Sequence, residues 1–427
     1  MSRASLVLAA AYLLLLGVGV SGLPSGAEWA DVVLVPLLAS TLVDTRGRIV
    51  GTPLAPYILA FVATTLACTA MSAQPRLGMV ALLKDIDVAI VFFIFVALVA
   101  RTPATFVPRW LAAGATASAL AGLLGFVVAT VSRVEIVRLG VRMTVPVAGN
   151  LFRPSGLLYS PEMLSELITC AIPFIVWMAL EGEAVWWVAA AACLAVAALT
   201  ASHGVGGCLV AVIVLWWPQP SMRWRRARWP LAAAVVAIVA ALNVVSLFAI
   251  RQVTLSSDRV PLAPPAGYHY TFDEPGGPRT IEVALAYSPM SYLMLKRVAV
   301  AAFRGHPWFG IGPGAFHLET ARAAAEGSIP TWYREADPHS TLFGRLAETG
   351  LVGTSALIAV WTALVVCAWR AVRVSPGSTL ERAAFAAVTG ILVNSVNADV
   401  MHFRFLWVAA AVALSRVDLL RRSTPAP

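Results

Sequence analysis

The residues best placed to do chemistry lie between Asp337 and Gly350, at the end of the long polar region in an otherwise apolar chain. Asp337, Pro338, His339 and Ser340 open this stretch, and Glu348, Thr349 and Gly350 close it. It reads as a short capped helix with His339 in its first turn. Asp337 fits the N-cap, Pro338 fits N1 and Gly350 fits C′. The partial positive charge of a helix N-terminus disfavours imidazolium and keeps such a ring neutral. A neutral histidine can act as a general base on a hydroxyl. The alternative is a solvated histidine in a loop.

Other candidates are histidines, arginines and carboxylates near the ends of apolar segments. Ionisable groups at membrane depth are costly, so each asks for a role. Glu162 and Glu166 are one helical turn apart and share a face; proton relay, acceptor binding or pairing with Arg153 are the readings. His203 sits in the small-residue break Thr200-Ala201-Ser202-His203-Gly204, where it could bind a phosphate or a hydroxyl. His402 and Arg404 open the last apolar segment and could join the same site. Lys84, Asp85 and Asp87 are the main charge cluster inside an apolar run. His269, His306 and His317 read as structural. The glycine-rich block from Gly310 to Gly314 follows a helix rather than a strand, which excludes a dinucleotide fingerprint. There is no P-loop, HExxH or nucleophile elbow. Cys68, Cys170, Cys193, Cys208 and Cys367 are isolated and read as small buried hydrophobes.

The elements that must hold these residues are membrane helices. The chain has 427 residues, 59% hydrophobic and 12% charged, with mean hydropathy +0.80. Soluble domains run near about 25% charged. The fold class is all-α and polytopic, with about twelve spans: 4–23, 28–44, 52–72, 80–100, 110–131, 159–180, 184–201, 204–217, 229–250, 351–369, 383–399 and 403–416. The net charge of +9 falls mainly in short loops, so it marks the cytoplasmic side and not a nucleic-acid partner. Both termini are then cytoplasmic. Spans one to nine occupy 1–250, with an arginine-rich outer loop at 132–158 that carries Arg133, Arg138, Arg142 and Arg153 and suits an anion. A long outer loop follows at 251–350, then the last three spans and a tail at 351–427. Within that loop, Met290 to Phe303 reads as a surface helix with Lys296 and Arg297 at its middle, and Phe316 to Ala325 as a second short helix.

Four blocks in order resemble the O-antigen ligase/polymerase family of bacterial membrane glycosyltransferases, over roughly 150–415. They are Arg153-Pro154-Ser155-Gly156 with Ser160-Pro161-Glu162, then Thr200 to Gly204, then His306 to Gly314, then Asp337 to Gly353. The resemblance implies a GT-C-like fold and transfer of a glycan from an undecaprenyl-diphosphate carrier. The acceptor would be lipid A-core or a growing polysaccharide, at the outer face of the cytoplasmic membrane. It implies no metal or cofactor, and polysaccharide assembly proteins as partners. His339 would be the base that activates the acceptor hydroxyl. Arg153 and Arg297 would hold the diphosphate, with Arg138, Arg142, Arg304 and His203 as further binders. Glu162, Glu166, Ser340 and Glu348 are secondary candidates. Three positions depart from the family pattern: His203 stands for an arginine, Ser340 for an asparagine, and the loop-helix arginine is displaced, with Arg297 nearest. A repeat-unit polymerase, a lipid-linked glycan flippase and a non-catalytic assembly partner are the rival readings.

Overall fold

The computed structural model describes residues 1–19, 28–47, 51–131, 139–145, 149–216, 269–274, 277–282, 289–329, 333–375 and 378–423. The helices are α1 (Arg3–Leu15), α2 (Trp29–Thr45), α3 (Ala55–Met71), α4 (Pro75–Val99), α5 (Phe106–Val131), α6 (Pro161–Leu180), α7 (Val185–Leu199) and α8 (Gly204–Trp216). After them come α9 (Pro289–Gly305), α10 (Phe316–Ala325), α11 (Thr341–Val374), α12 (Thr379–Asn394) and α13 (Arg404–Ser423). The fold is helical, as apolar runs in lipid require, because each helix satisfies its own backbone. Two antiparallel hairpins are added to the expected all-α plan: β1 (Gly140–Val145) with β2 (Gly149–Pro154), and β3 (His269–Glu274) with β4 (Gly277–Glu282). The first turns the segment before α6 from an open loop into a short ladder, in which Arg153 registers with Val141.

Among the described residues, α5, α6 and α11 are long and apolar enough to cross a membrane alone. Helix α1 has 13 residues, about 20 Å at 1.5 Å per residue, short of a bilayer core of about 30 Å. The expected span at 229–250 lies outside the described residues, as do Arg133 and Arg138.

Helix α6 is the hub. Ser160 caps it, its hydroxyl accepting from Met163 N at 3.2 Å, and Pro161 takes the first helical position. It packs against α5, α7, α8 and α12. Helices α8 and α12 cross closely: a Cβ on Gly207 would lie 2.4 Å from Gly390 O, and one on Gly390 2.7 Å from Gly207 O. Small residues permit that approach in lipid.

The glycine-rich block after α9 is fastened to a break in α11. Gly350 takes φ 59° and ψ −154° inside α11, a conformation essentially confined to glycine. The break leaves carbonyls and N–H groups without helical partners, and the block supplies them. Ile311 N donates to Ala347 O at 3.0 Å and Gly312 N to Glu348 O at 3.0 Å. Leu351 N donates to Pro307 O at 2.8 Å and Val352 N to Trp308 O at 3.1 Å. Each orphaned group is thereby satisfied. A Cβ on Gly350 would meet Trp308 C at 2.5 Å. Gly350→Ala therefore combines backbone strain with overpacking, each of order 1–3 kcal/mol. The expected result is a marked fall in melting temperature of the detergent-solubilised protein; an unchanged melt would contradict this account of the break.

Candidate active site

His339 does not stand in the first turn of a helix. Its φ of 44° is left-handed, which ends the loop, and α11 begins two residues on with Ser340 as N-cap. Ser340 Oγ accepts from Phe343 N at 3.4 Å and donates to Ser395 O at 3.3 Å. Thr341 extends the anchor: its N–H reaches Ser395 O at 3.0 Å and its hydroxyl accepts from Val400 N at 2.8 Å. The loop between α12 and α13 thus pins the start of α11. Asp337 and Ser340 are both capping residue types, and the backbone of His339 decides between them.

On the side of His339 lie groups from four other elements. Arg153, 1% exposed at the end of β2, donates from Nε to Thr200 O at 2.5 Å and from its guanidinium to Glu162 Oε1 at 2.6 Å. It therefore reaches the turn that carries His203. Lys296 of α9 donates to Asn397 Oδ1 at 2.6 Å and lies 5.6 Å from the Phe343 ring centre. Burial lowers the pKa of His203 from the usual value near 6.5, and Lys296, Arg153 and His339 add to this against Glu162. His339 remains solvent-accessible, yet the protein around it desolvates the imidazolium and lowers its pKa, opposed by Asp337 and Glu162. Both rings are therefore neutral near pH 7. Burial also lowers Lys296. The result is a neutral pair of imidazoles beside two cations and one carboxylate.

Behind the loop runs a second polar network. Arg345 of α11 holds Asp85 of α4 with two hydrogen bonds, 2.5 and 3.1 Å, and lies 4.8 Å from the Phe61 ring centre. Thr65 donates to the same carboxylate at 2.8 Å. His402 bridges Asp85 and Asp399, each at 3.2 Å. Burial opposes the imidazolium, but Asp399 and Asp85 outweigh it and raise His402 to about 9. Arg404 reaches Asp87 at 2.8 Å, Glu28 at 3.2 Å and Asp31.

Residues 186–358 match the O-antigen ligase family. The match supports placing the chain in the O-antigen ligase/polymerase family, and a family of membrane proteins suits its apolar helices. It spans the turn at His203, the glycine block and the His339 loop; the Arg153 block lies outside it. A comparison with curated proteins finds no match.

The ligase-family region brings together His339, His203 and, from outside the match, Arg153 and Glu162. It does not bring Arg297 to them. Arg297 is exposed and lines a separate cavity of about 540 Å³ with His306 and Arg322. Neighbouring helical residues point about 100° apart, and here it is Lys296 that acts on the charge of His203. Arg304 is exposed at the end of α9. Glu166 lies one turn deeper than Glu162, buried, and accepts from Asn394 Nδ2 at 2.9 Å. Glu348 accepts from Phe316 N at 3.2 Å and fixes the start of α10. Arg142 stands on β1, in register with Phe152. Among the described residues no group of three or more His, Cys, Asp or Glu could hold a metal ion. Sequence reasoning missed Arg345 and Lys296. The signal for Arg345 was a charged residue in α11 and another, Asp85, in apolar α4, each needing a partner.

Proposed function

We propose that the protein is a membrane glycosyltransferase that moves a glycan from an undecaprenyl-diphosphate carrier to a hydroxyl acceptor, lipid A-core or a growing polysaccharide. The reaction takes place at the outer face of the bacterial cytoplasmic membrane. The observation that carries this reading is the neutral His339 close to His203, on whose charge Lys296 and Arg153 also act. His339 takes the proton of the acceptor hydroxyl as its oxygen bonds to the anomeric carbon. The bond from that carbon to the phosphate oxygen breaks, and the diphosphate leaves with the electron pair. Fixed cations stabilise the charge that develops there. Arg153 supplies guanidinium at the turn where the family's arginine is His203, and Lys296 stands for the displaced arginine of the loop helix. Arg138, Arg142, Arg297 and Arg304 are left with no assigned part in the step.

The same geometry serves a polymerase, in which the acceptor is a second carrier-linked glycan. A flippase is less well supported. It needs charged groups along a path through the helices, and Asp85 and Asp87 are instead engaged by Arg345, His402 and Arg404.

Lys296 gives the test. Lys296→Ala should raise KM for the lipid-linked donor about tenfold or more, the loss of one charge-assisted hydrogen bond of about 1.5–3 kcal/mol. Lys296→Arg should restore most of it, since either cation pairs with phosphate. The measurement is transfer by the purified enzyme at varied donor concentration. An unchanged KM in Lys296→Ala would remove the lysine from the donor site.

A further inference from the structure

The His339 loop forms one wall of a cavity, through Asp337, Pro338 and Ser340. The cavity has about 340 Å³, at the small end of ligand pockets, which run about 300–1,000 Å³. Its polar lining includes Lys84, Asp337, Arg345, Glu348, Asp399 and His402, with His317, Phe316 and the backbone turn at Gly314 beside them. His339 is not among the lining residues, but Asp337 is, and Asp337 also acts on the charge of His339. The cavity therefore adjoins His339 at the loop.

The cavity and the histidines differ in surrounding charge. Beside the histidines two cations stand against Glu162. In the cavity three carboxylates face Lys84, Arg345 and His402, so the signs alternate and roughly cancel. Such a lining offers a diphosphate no net positive charge and suits neutral hydroxyls, each of which both donates and accepts. The ammonium of Lys84 makes no hydrogen bond or ion pair among the described residues. Lys84 and Lys296 are the chain's two lysines, and Lys84 alone lines the cavity. Met79, Val80 and Leu83 of α4 are exposed around Lys84, so the cavity mouth adjoins an apolar surface suited to lipid.

From this we infer that the cavity is a sugar-binding subsite, which seats a neutral ring of the lipid-borne acceptor while the donor diphosphate binds on the histidine side. The inference rests on the glycosyl-transfer reading above. Lys84 and His317 hold ring hydroxyls by donation, and Asp337 and Asp399 by acceptance. The seated ring presents its hydroxyl along the edge of the loop towards His339.

The test uses two thiol reporters in the full chain, whose five native cysteines are buried. Ala81→Cys places a thiol in the cavity and Ser202→Cys places one beside His203. Maleimide labelling is timed in purified protein, with either a pool of neutral oligosaccharides released from the host's own envelope glycolipids or undecaprenyl diphosphate. The expected result is that the oligosaccharides slow labelling of Ala81→Cys at least threefold and the diphosphate does not. Adding Lys84→Ala should abolish that protection without changing labelling at Ser202→Cys. Protection of Ala81→Cys by the diphosphate alone, or by neither probe, overturns the subsite. If the oligosaccharides protect Ala81→Cys but the diphosphate fails at Ser202→Cys, the donor-side reading falls and the sugar subsite stands.

Discussion

Replacing His339 by alanine lowers glycan transfer by about 10²–10⁴-fold, the usual contribution of a positioned general base. The chain still inserts, because Ser340 and Thr341 hold the loop. The pH profile carries the same claim. The base must be neutral to accept a proton, and the protein lowers the pKa of His339 below its usual value near 6.5. Transfer should therefore be flat through neutral pH and fall only as the pH drops below that lowered value. A profile that rises on acidification would assign the loop histidine to a different role. The measurement is the initial rate of transfer from a carrier-linked donor across pH, wild type beside His339→Ala.

The second large effect is on stability. Asp85→Ala leaves Arg345 buried without its bidentate partner, and the side chain of Arg345 is only 6% exposed. Breaking one partner of a buried pair costs about 3–5 kcal/mol, whereas replacing both with apolar residues of similar volume is often neutral. The double variant Asp85→Leu with Arg345→Met should therefore melt closer to wild type than Asp85→Ala does. Thermal unfolding in detergent followed by tryptophan fluorescence checks this. Equal melts for wild type and Asp85→Ala would mean that the network adds nothing to the fold.

Much of the helical plan was legible, because apolar runs in lipid have little choice but to form helices. Boundaries and spanning were less so. Helix α1 is apolar but too short to cross alone, and hydropathy does not separate those properties. The β1–β2 hairpin was invisible as a ladder, since its strands are short. At the site, the His339 block and the turn at His203 stood out by residue type. The cap moved from Asp337 to Ser340 because a left-handed φ at His339 cannot be read from composition. Lys296 and Arg297 are adjacent, so choosing between them needed the phase of α9 against Asn397. The stitching of Gly310–Gly314 onto the Gly350 break joins segments far apart in sequence. The glycines themselves were visible; what they approach was not.

The central claim is chemical transfer at His339, and reconstitution tests it most directly. Purified protein in liposomes is given an undecaprenyl-diphosphate-linked glycan and a lipid acceptor, and both transfer and movement of donor across the bilayer are followed. The account predicts transfer by wild type, at least a hundredfold less by His339→Ala, and no donor crossing in either. Donor crossing without transfer, or equal transfer by both proteins, would contradict it.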